Sequence, residues 1–219
     1  MQQAEAIETG WRGSAESWLE TAYDSFVEAG VEAVRILPLA KKLNLSRTSF
    51  YWFFKDRDEL LAALVDRWRT KNTGGIIKQC AVYAESVAEA ILNLFDCWLD
   101  PRLFDSQFEY AIRSWALQSP HISVEIDAAD TERLQAVTGL FARYGFDPIA
   151  ADARARTTYL TQIGYIAAKT VEDLSSRMRR IPQYVEIFTG QAPEPRELRR
   201  FFARHGYNDP EPGQPQTAV

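Results

Sequence analysis

Apolar positions along the chain recur mostly at three- and four-residue spacing, the period of a helix with one buried face. Strand-like alternation is scarce. Glycine and proline fall between the periodic stretches rather than within them. The pattern therefore predicts an all-α chain. Ser14 is placed to cap a first helix with Glu16 in its first turn. Leu19, Ala22, Tyr23, Phe26 and Val27 form its apolar stripe, and Gly30 is its stop. A short second helix carries Pro38 in its first turn and buries Leu39, Ala40 and Leu43. Asn44 follows, a residue that tolerates the left-handed backbone of a sharp turn. Ser46 is placed to cap a third helix running to Phe54. Asp56 is placed to cap a fourth with the stripe Leu60, Leu61, Leu64 and Trp68, and Lys71-Asn72-Thr73-Gly74-Gly75 ends it.

Beyond Gly75 the helices lengthen. The spacing predicts them over about residues 78–99, 102–118, 121–144, 148–175 and 178–189, with Pro101, Ser119-Pro120, Gly145 and Asp147-Pro148 between them. A last basic amphipathic piece, PEPRELRRFFARHG, follows Gly190. The expected organisation is a flexible arm over 1–12, a small helical domain over 13–73, a larger one over 74–205, and a disordered, proline-rich tail over 206–219.

Composition narrows the class. With 46% apolar residues the chain can bury a proper core. It has no apolar run of about 18 residues, the length of a membrane span. Its start, MQQAEAIETGWRG, lacks the basic and apolar regions of a secretory signal, so a cytoplasmic protein without membrane association is expected. Cys80 and Cys97 then read as buried free thiols of a reducing compartment. His121 and His205 are far apart, neither has a second ligand at metal-binding spacing, and no nucleophile-elbow, phosphate-loop or dinucleotide motif occurs. Neither enzyme chemistry nor a cofactor is expected.

Charge changes the picture more than composition does. The net charge is −5, yet residues 35–71 hold nine bases against four acids, while residues 1–34 hold one base against seven acids. The third helix, LSRTSFYWFF, lies inside this basic island. On a helix of 100° per residue, Phe50 and Phe54 fall on the buried face. Thr48, Tyr51 and Trp52 fall on the opposite one, with Arg47 at the N-terminal rim and Phe53 on the flank. Such an outward face either packs against protein or enters the major groove of DNA. In the groove Arg reads guanine, Thr touches a base edge, and hydroxyl or indole donors bond phosphates. Two short helices joined by a tight turn match a helix-turn-helix, and the basic surroundings favour DNA.

The stretch VRILPLAKKLNLSRTSFYWFFKDRDELLAAL closely resembles the DNA-binding segment of the TetR family of transcriptional regulators. The matching positions are Leu39-Ala40, Leu45-Ser46, Ser49-Phe50-Tyr51-Trp52, Phe54, Lys55, Arg57 and Leu60-Leu61. The resemblance covers roughly residues 14–68, and IRSWALQSP, Arg133 and FARYGF are weaker traces of one branch of the family. The chain departs from the pattern at three places: Asn44 for the usual turn glycine, Thr48 for the usual small residue, and Phe53 for the usual His.

The resemblance implies a three-helix helix-turn-helix domain followed by a helical ligand-binding and dimerisation domain. It further implies a homodimeric regulator, most often a repressor, that binds a palindromic double-stranded operator and is relieved by a small effector. Base-edge contacts are expected from Arg47, Thr48 and Tyr51. Phosphate contacts are expected from Ser49, Trp52 and Arg57, and more weakly from Lys55 and Lys42, around the Ser46 cap. The helices at about 148–175 and 178–189 are expected to form the dimer, with Thr157, Tyr159, Gly164, Ala167 and Ala168 allowing close approach. Phe95, Trp98, Phe108 and Trp115, with the polar residues Tyr110, Arg113, Gln162 and Tyr165, are the expected lining of an effector pocket. Phe104 and Phe141 extend the same aromatic stripes.

Overall fold

A computed structural model describes residues 13–208. The arm expected over 1–12 and the tail beyond Asn208 lie outside the described residues. All regular structure in the described residues is helical, and none of their helices is long and apolar enough to cross a membrane. The chain divides into two compact units between Trp68 and Arg69, five residues before the boundary expected from the Gly74-Gly75 pair.

The first unit holds α1 (Ala15–Ala29), a 3₁₀ turn (Val31–Ala33), α2 (Ile36–Lys42), α3 (Arg47–Phe50) and α4 (Arg57–Trp68). Ser14 caps α1 reciprocally with Ser17, and Gly30, at φ 78°, closes it. The buried face of α1 is centred on Trp18, Ala22, Ser25 and Phe26. The expected stripe members Leu19, Tyr23 and Val27 are only half-buried, so the face is rotated from the predicted one. Asn44 adopts φ 53°, the left-handed turn expected of it. Ser46 caps α3 through the Ser49 amide, and the Asp56 carboxylate accepts from the Glu59 amide at the start of α4.

The second unit starts in a π-helical turn (Arg69–Thr73) that leads directly into α5 (Gly74–Ala81). The expected helix stop at 71–75 is therefore absent. Gly74-Gly75 reads locally as a breaker, but a Cβ on Gly75 would lie 2.1 Å from the carbonyl oxygen of Leu103. This glycine lets backbone approach backbone inside a helix. Asn72 is fully buried and binds the turn before the seventh helix: its amide oxygen accepts from the Asp105 amide at 2.8 Å, and its amide nitrogen donates to the Asp105 carbonyl at 3.1 Å.

There follow α6 (Val87–Leu99), α7 (Ser106–Ala116), α8 (Pro120–Arg143), α9 (Pro148–Ala167), α10 (Leu174–Thr189) and α11 (Pro195–Arg204). Two expected helices are thus broken. The span 78–99 divides where Ser86 caps α6, and 148–175 ends at Ala167, with Lys169 at φ 49° and Asp173 capping α10. The core of this unit includes Ile91, Leu94, Phe95, Phe141, Val185 and Phe188. Cys80 and Cys97 are free and buried, and burial pushes the Cys80 thiol up to about 12, so neither presents a thiolate. The first residues of the expected tail are docked, since Tyr207 is buried against Phe202.

Candidate nucleic-acid interface

Ser46 to Phe54 form less helix than the spacing predicts. Only Arg47–Phe50 is α-helical, and the chain then tightens into i to i+3 bonds from the amides of Tyr51, Trp52 and Phe53. The Phe54 amide bonds the Phe50 carbonyl, which keeps the two rings on one side despite the shortened helix. Phe50 is 0% exposed, packed edge-on to Trp18 at 5.2 Å and stacked on Phe54 at 5.5 Å. Phe53, the residue left on the flank, is half-buried.

The outward set is largely as the spacing predicts. Arg47 and Thr48 are exposed, Tyr51 is 47% exposed and Trp52 65%. The Arg47 guanidinium donates to the Tyr51 hydroxyl at 3.1 Å and lies 5.9 Å from the centre of its ring. One turn of helix thus holds the guanidinium over the exposed face, which lowers the entropy lost when it makes a bidentate bond. Lys55 and Lys41 are exposed and make no ion pair among the described residues. Lys41 is a basic residue of this surface that the family pattern did not single out, although its place in the basic island marked it.

Three expected contacts have other duties. Ser49 is 5% exposed, and its hydroxyl donates to the Ser46 carbonyl at 2.6 Å, so it closes the cap rather than facing outward. Lys42 is turned to α1, with its ammonium 3.0 Å from the Ser25 hydroxyl and 3.8 Å from Glu28. Arg57 donates through Nε to the Val34 carbonyl at 2.6 Å and through a terminal nitrogen to the Val31 carbonyl at 2.7 Å. It therefore fastens the 3₁₀ turn to the start of α4. Arg57→Ala is expected to lower the stability of the DNA-free protein by about 1–3 kcal/mol, read from thermal melts. An unchanged melt with uniformly weaker DNA binding would return Arg57 to the phosphate role.

The residues expected to line a pocket in the second unit separate into three groups. Trp98 and Phe108 are core, as are Phe104 and Phe141. Arg113 is held by Glu109 at 2.9 Å and Asp130 at 2.5 Å, Tyr110 carries the Lys169 ammonium 3.9 Å above its ring, and Trp115 is half-buried on α7. Phe95, Gln162 and Tyr165 share a cleft. Its other lining comes from Glu172, Arg177, Arg180, Ile181 and Tyr184, none of which the aromatic stripes pointed to.

Residues 19–64 match the model of the bacterial regulatory proteins of the tetR family. No curated protein matches the chain. Among solved structures, the chain is similar to the fatty acid degradation regulator FadR from Bacillus halodurans, with a TM-score of 0.58, 15% identity, and 84% of this chain and 97% of that one covered. AmtR of Mycobacterium smegmatis gives 0.57 at 15% identity over 95% and 100% of the two chains. A transcriptional regulator from Aquifex aeolicus VF5 gives 0.56 at 16% over 81% and 96%. At these identities the likeness extends the shared fold over both units.

Proposed function

We propose that this chain, a DNA-binding transcriptional regulator with a tetR-type N-terminal domain, acts as a homodimeric repressor that reads a palindromic operator and leaves it when a small effector binds. The observation that carries the DNA reading is the Arg47–Tyr51 pair, exposed at the Ser46-capped start of α3 within the basic island. Arg47, Thr48 and Tyr51 are the base-edge readers, and Trp52, Lys55 and Lys41 serve the backbone. A recognition element with four α-helical residues reads few base pairs, so a two-fold copy is needed for useful specificity. Support for the dimer comes from α9. There Ile149, Ala153, Arg156, Leu160, Gly164 and Ala167, at spacings of three and four, are all exposed on one face, and α10 adds Ile187 at 66% exposure. Small residues in such a stripe let helices approach closely.

The test is a binding titration with DNA from upstream of the chain's own gene, repeated over a range of salt. Sedimentation should give twice the 25.0 kDa chain mass. Affinity should fall steeply as salt rises, because bound phosphates release counterions. Arg47→Ala should cost about 1–3 kcal/mol on the specific site and flatten the preference over competitor DNA. Salt-independent binding, or an Arg47→Ala protein that discriminates like the parent, would sink the DNA reading in favour of a protein-docking face.

A further inference from the structure

The first unit holds seven of the nine bases of the basic island, from Arg35 to Arg67. Four of the seven are already engaged within the unit. Arg35 lies 3.6 Å from Glu32, Arg67 meets Glu16 at 3.4 Å and Glu20 at 2.5 Å, Arg57 is held by two carbonyls, and Lys42 is turned to α1. Among the described residues, Lys41, Arg47 and Lys55 are left without an acidic partner. Most of the opposing acids come from one helix: Glu16, Glu20, Asp24 and Glu28 recur at every fourth position of α1 and so share one side of it.

Lys42 is held there by a built contact. It ends α2, next to the exposed Lys41. Its ammonium donates to the Ser25 hydroxyl at 3.0 Å. Ser25 is only 3% exposed, a polar residue on the buried face of α1, and its own proton goes to the Thr21 carbonyl at 2.9 Å. The hydroxyl oxygen is therefore left as an acceptor, and Lys42 supplies the proton. Glu28, on the adjoining turn of α1, stands 3.8 Å from the same ammonium. The Lys42 side chain is still 49% exposed, so the ammonium is restrained rather than sealed in.

We infer that Ser25 and Glu28 are positioning residues that keep the Lys42 ammonium on α1 and off the DNA backbone, which lowers affinity for DNA of any sequence. The inference rests on the DNA reading above and adds two residues of α1 to what sets its strength. A lysine that reaches a phosphate adds sequence-blind affinity and releases a counterion. Withheld on α1, Lys42 adds neither. Discrimination between sequences stays with Arg47, Thr48 and Tyr51. A contact that only tied α2 to α1 would change stability and leave the salt dependence of DNA binding where it was.

The experiment titrates the full-length chain with a DNA duplex of mixed sequence over a range of salt, followed by fluorescence anisotropy. Glu28→Gln should bind about twofold to fivefold tighter than the parent, the size of effect an exposed pair has. Its log–log salt slope should steepen by about one for each protomer bound. Ser25→Ala, which changes no charge, should move both readings in the same direction. Lys42→Met should leave the parent's slope unchanged, and in the Glu28→Gln background it should return the slope to the parent's. Asp24→Asn is the control for net charge. It removes an acid one turn before Glu28 that has no ion pair among the described residues, and it should leave the slope unchanged. A Lys42→Met protein with a slope shallower than the parent's by about one would put Lys42 on phosphate already and overturn the inference. So would a Glu28→Gln protein whose slope matches that of Asp24→Asn, whatever its melting temperature. Failure of the DNA reading looks different, because the parent's own binding would then not fall with salt. A steep parental slope that neither Glu28→Gln nor Ser25→Ala changes removes the restraint and keeps the regulator.

Discussion

Glu109→Gln is expected to destabilise the protein by about 3–5 kcal/mol, because it strips the counter-charge from an arginine sealed in the core of the second unit. Glu109 and Arg133 are both 0% exposed, with 2.7 Å between Oε1 of Glu109 and a terminal nitrogen of Arg133. The same oxygen accepts from Arg113 at 2.9 Å, and the other accepts from Asn72 at 2.9 Å. Arg133 also donates to the Thr73 and Tyr159 hydroxyls, both at 2.9 Å, and Tyr159 donates to Asp130 at 2.6 Å. Two carboxylates and two guanidiniums thus bind the π-helical turn, α7, α8 and α9 into one neutral cluster.

Burial works to raise the Glu109 pKa, but attraction from Arg133 and Arg113 and hydrogen bonds from Arg133 and Asn72 outweigh it and hold the carboxyl below its usual range. The folded protein therefore takes up this proton less readily than the unfolded chain. The stability it contributes is complete above the unfolded value of about 4.3 and is lost as pH falls through the lower, folded value. Urea titrations of parent and variant at neutral and acid pH read both effects, and the gap between the two proteins should narrow in acid. The double variant Glu109→Leu, Arg133→Met should recover most of the loss, since removing both charges leaves neither one stranded. A Glu109→Gln protein as stable as the parent at neutral pH would mean that the cluster contributes no net stability.

This cluster also shows where a linear reading of the chain stops. Arg113 looked like a polar group beside aromatic stripes, the mark of a ligand pocket, but its partner Asp130 is 17 residues away and belongs to the next helix. Arg57 looked like a phosphate contact, and its real acceptors are carbonyls 23 and 26 residues earlier. Gly75 looked like a helix stop because its local signal is identical to one; the Leu103 carbonyl that demands a glycine there is remote in sequence. The features that could be read were those decided within one or two turns. The Ser14, Ser46 and Asp56 caps, the left-handed Asn44, and the division of the aromatic run into an inward and an outward set all depend on neighbours three or four residues away. The cleft could not be read, because aromatic spacing is the same for core and for pocket, and only packing brings Gln162 and Arg177 into one wall.

Phe50→Ala should have an effect of similar size on the first unit, and it should abolish operator binding although the ring never faces DNA. With only four residues, α3 cannot be stable through its own hydrogen bonds; isolated helices need about 12–15 residues to be even marginal. Its direction is set by what its buried side touches. Phe50 supplies most of that side through Trp18, which is itself 0% exposed, and through Phe54. Truncating a fully buried Phe costs about 3–5 kcal/mol, a large part of the roughly 5–15 kcal/mol that holds a domain together. The variant should therefore melt its first unit early, seen as a lower midpoint in the fluorescence of the buried Trp18, and lose operator affinity in step. Trp52→Ala is the contrast. Its ring is 65% exposed, so stability should stay within about 0.5 kcal/mol of the parent while DNA affinity drops. If Phe50→Ala kept both its melting midpoint and its operator affinity, the geometry of Arg47, Thr48 and Tyr51 would have to be held by something other than this ring.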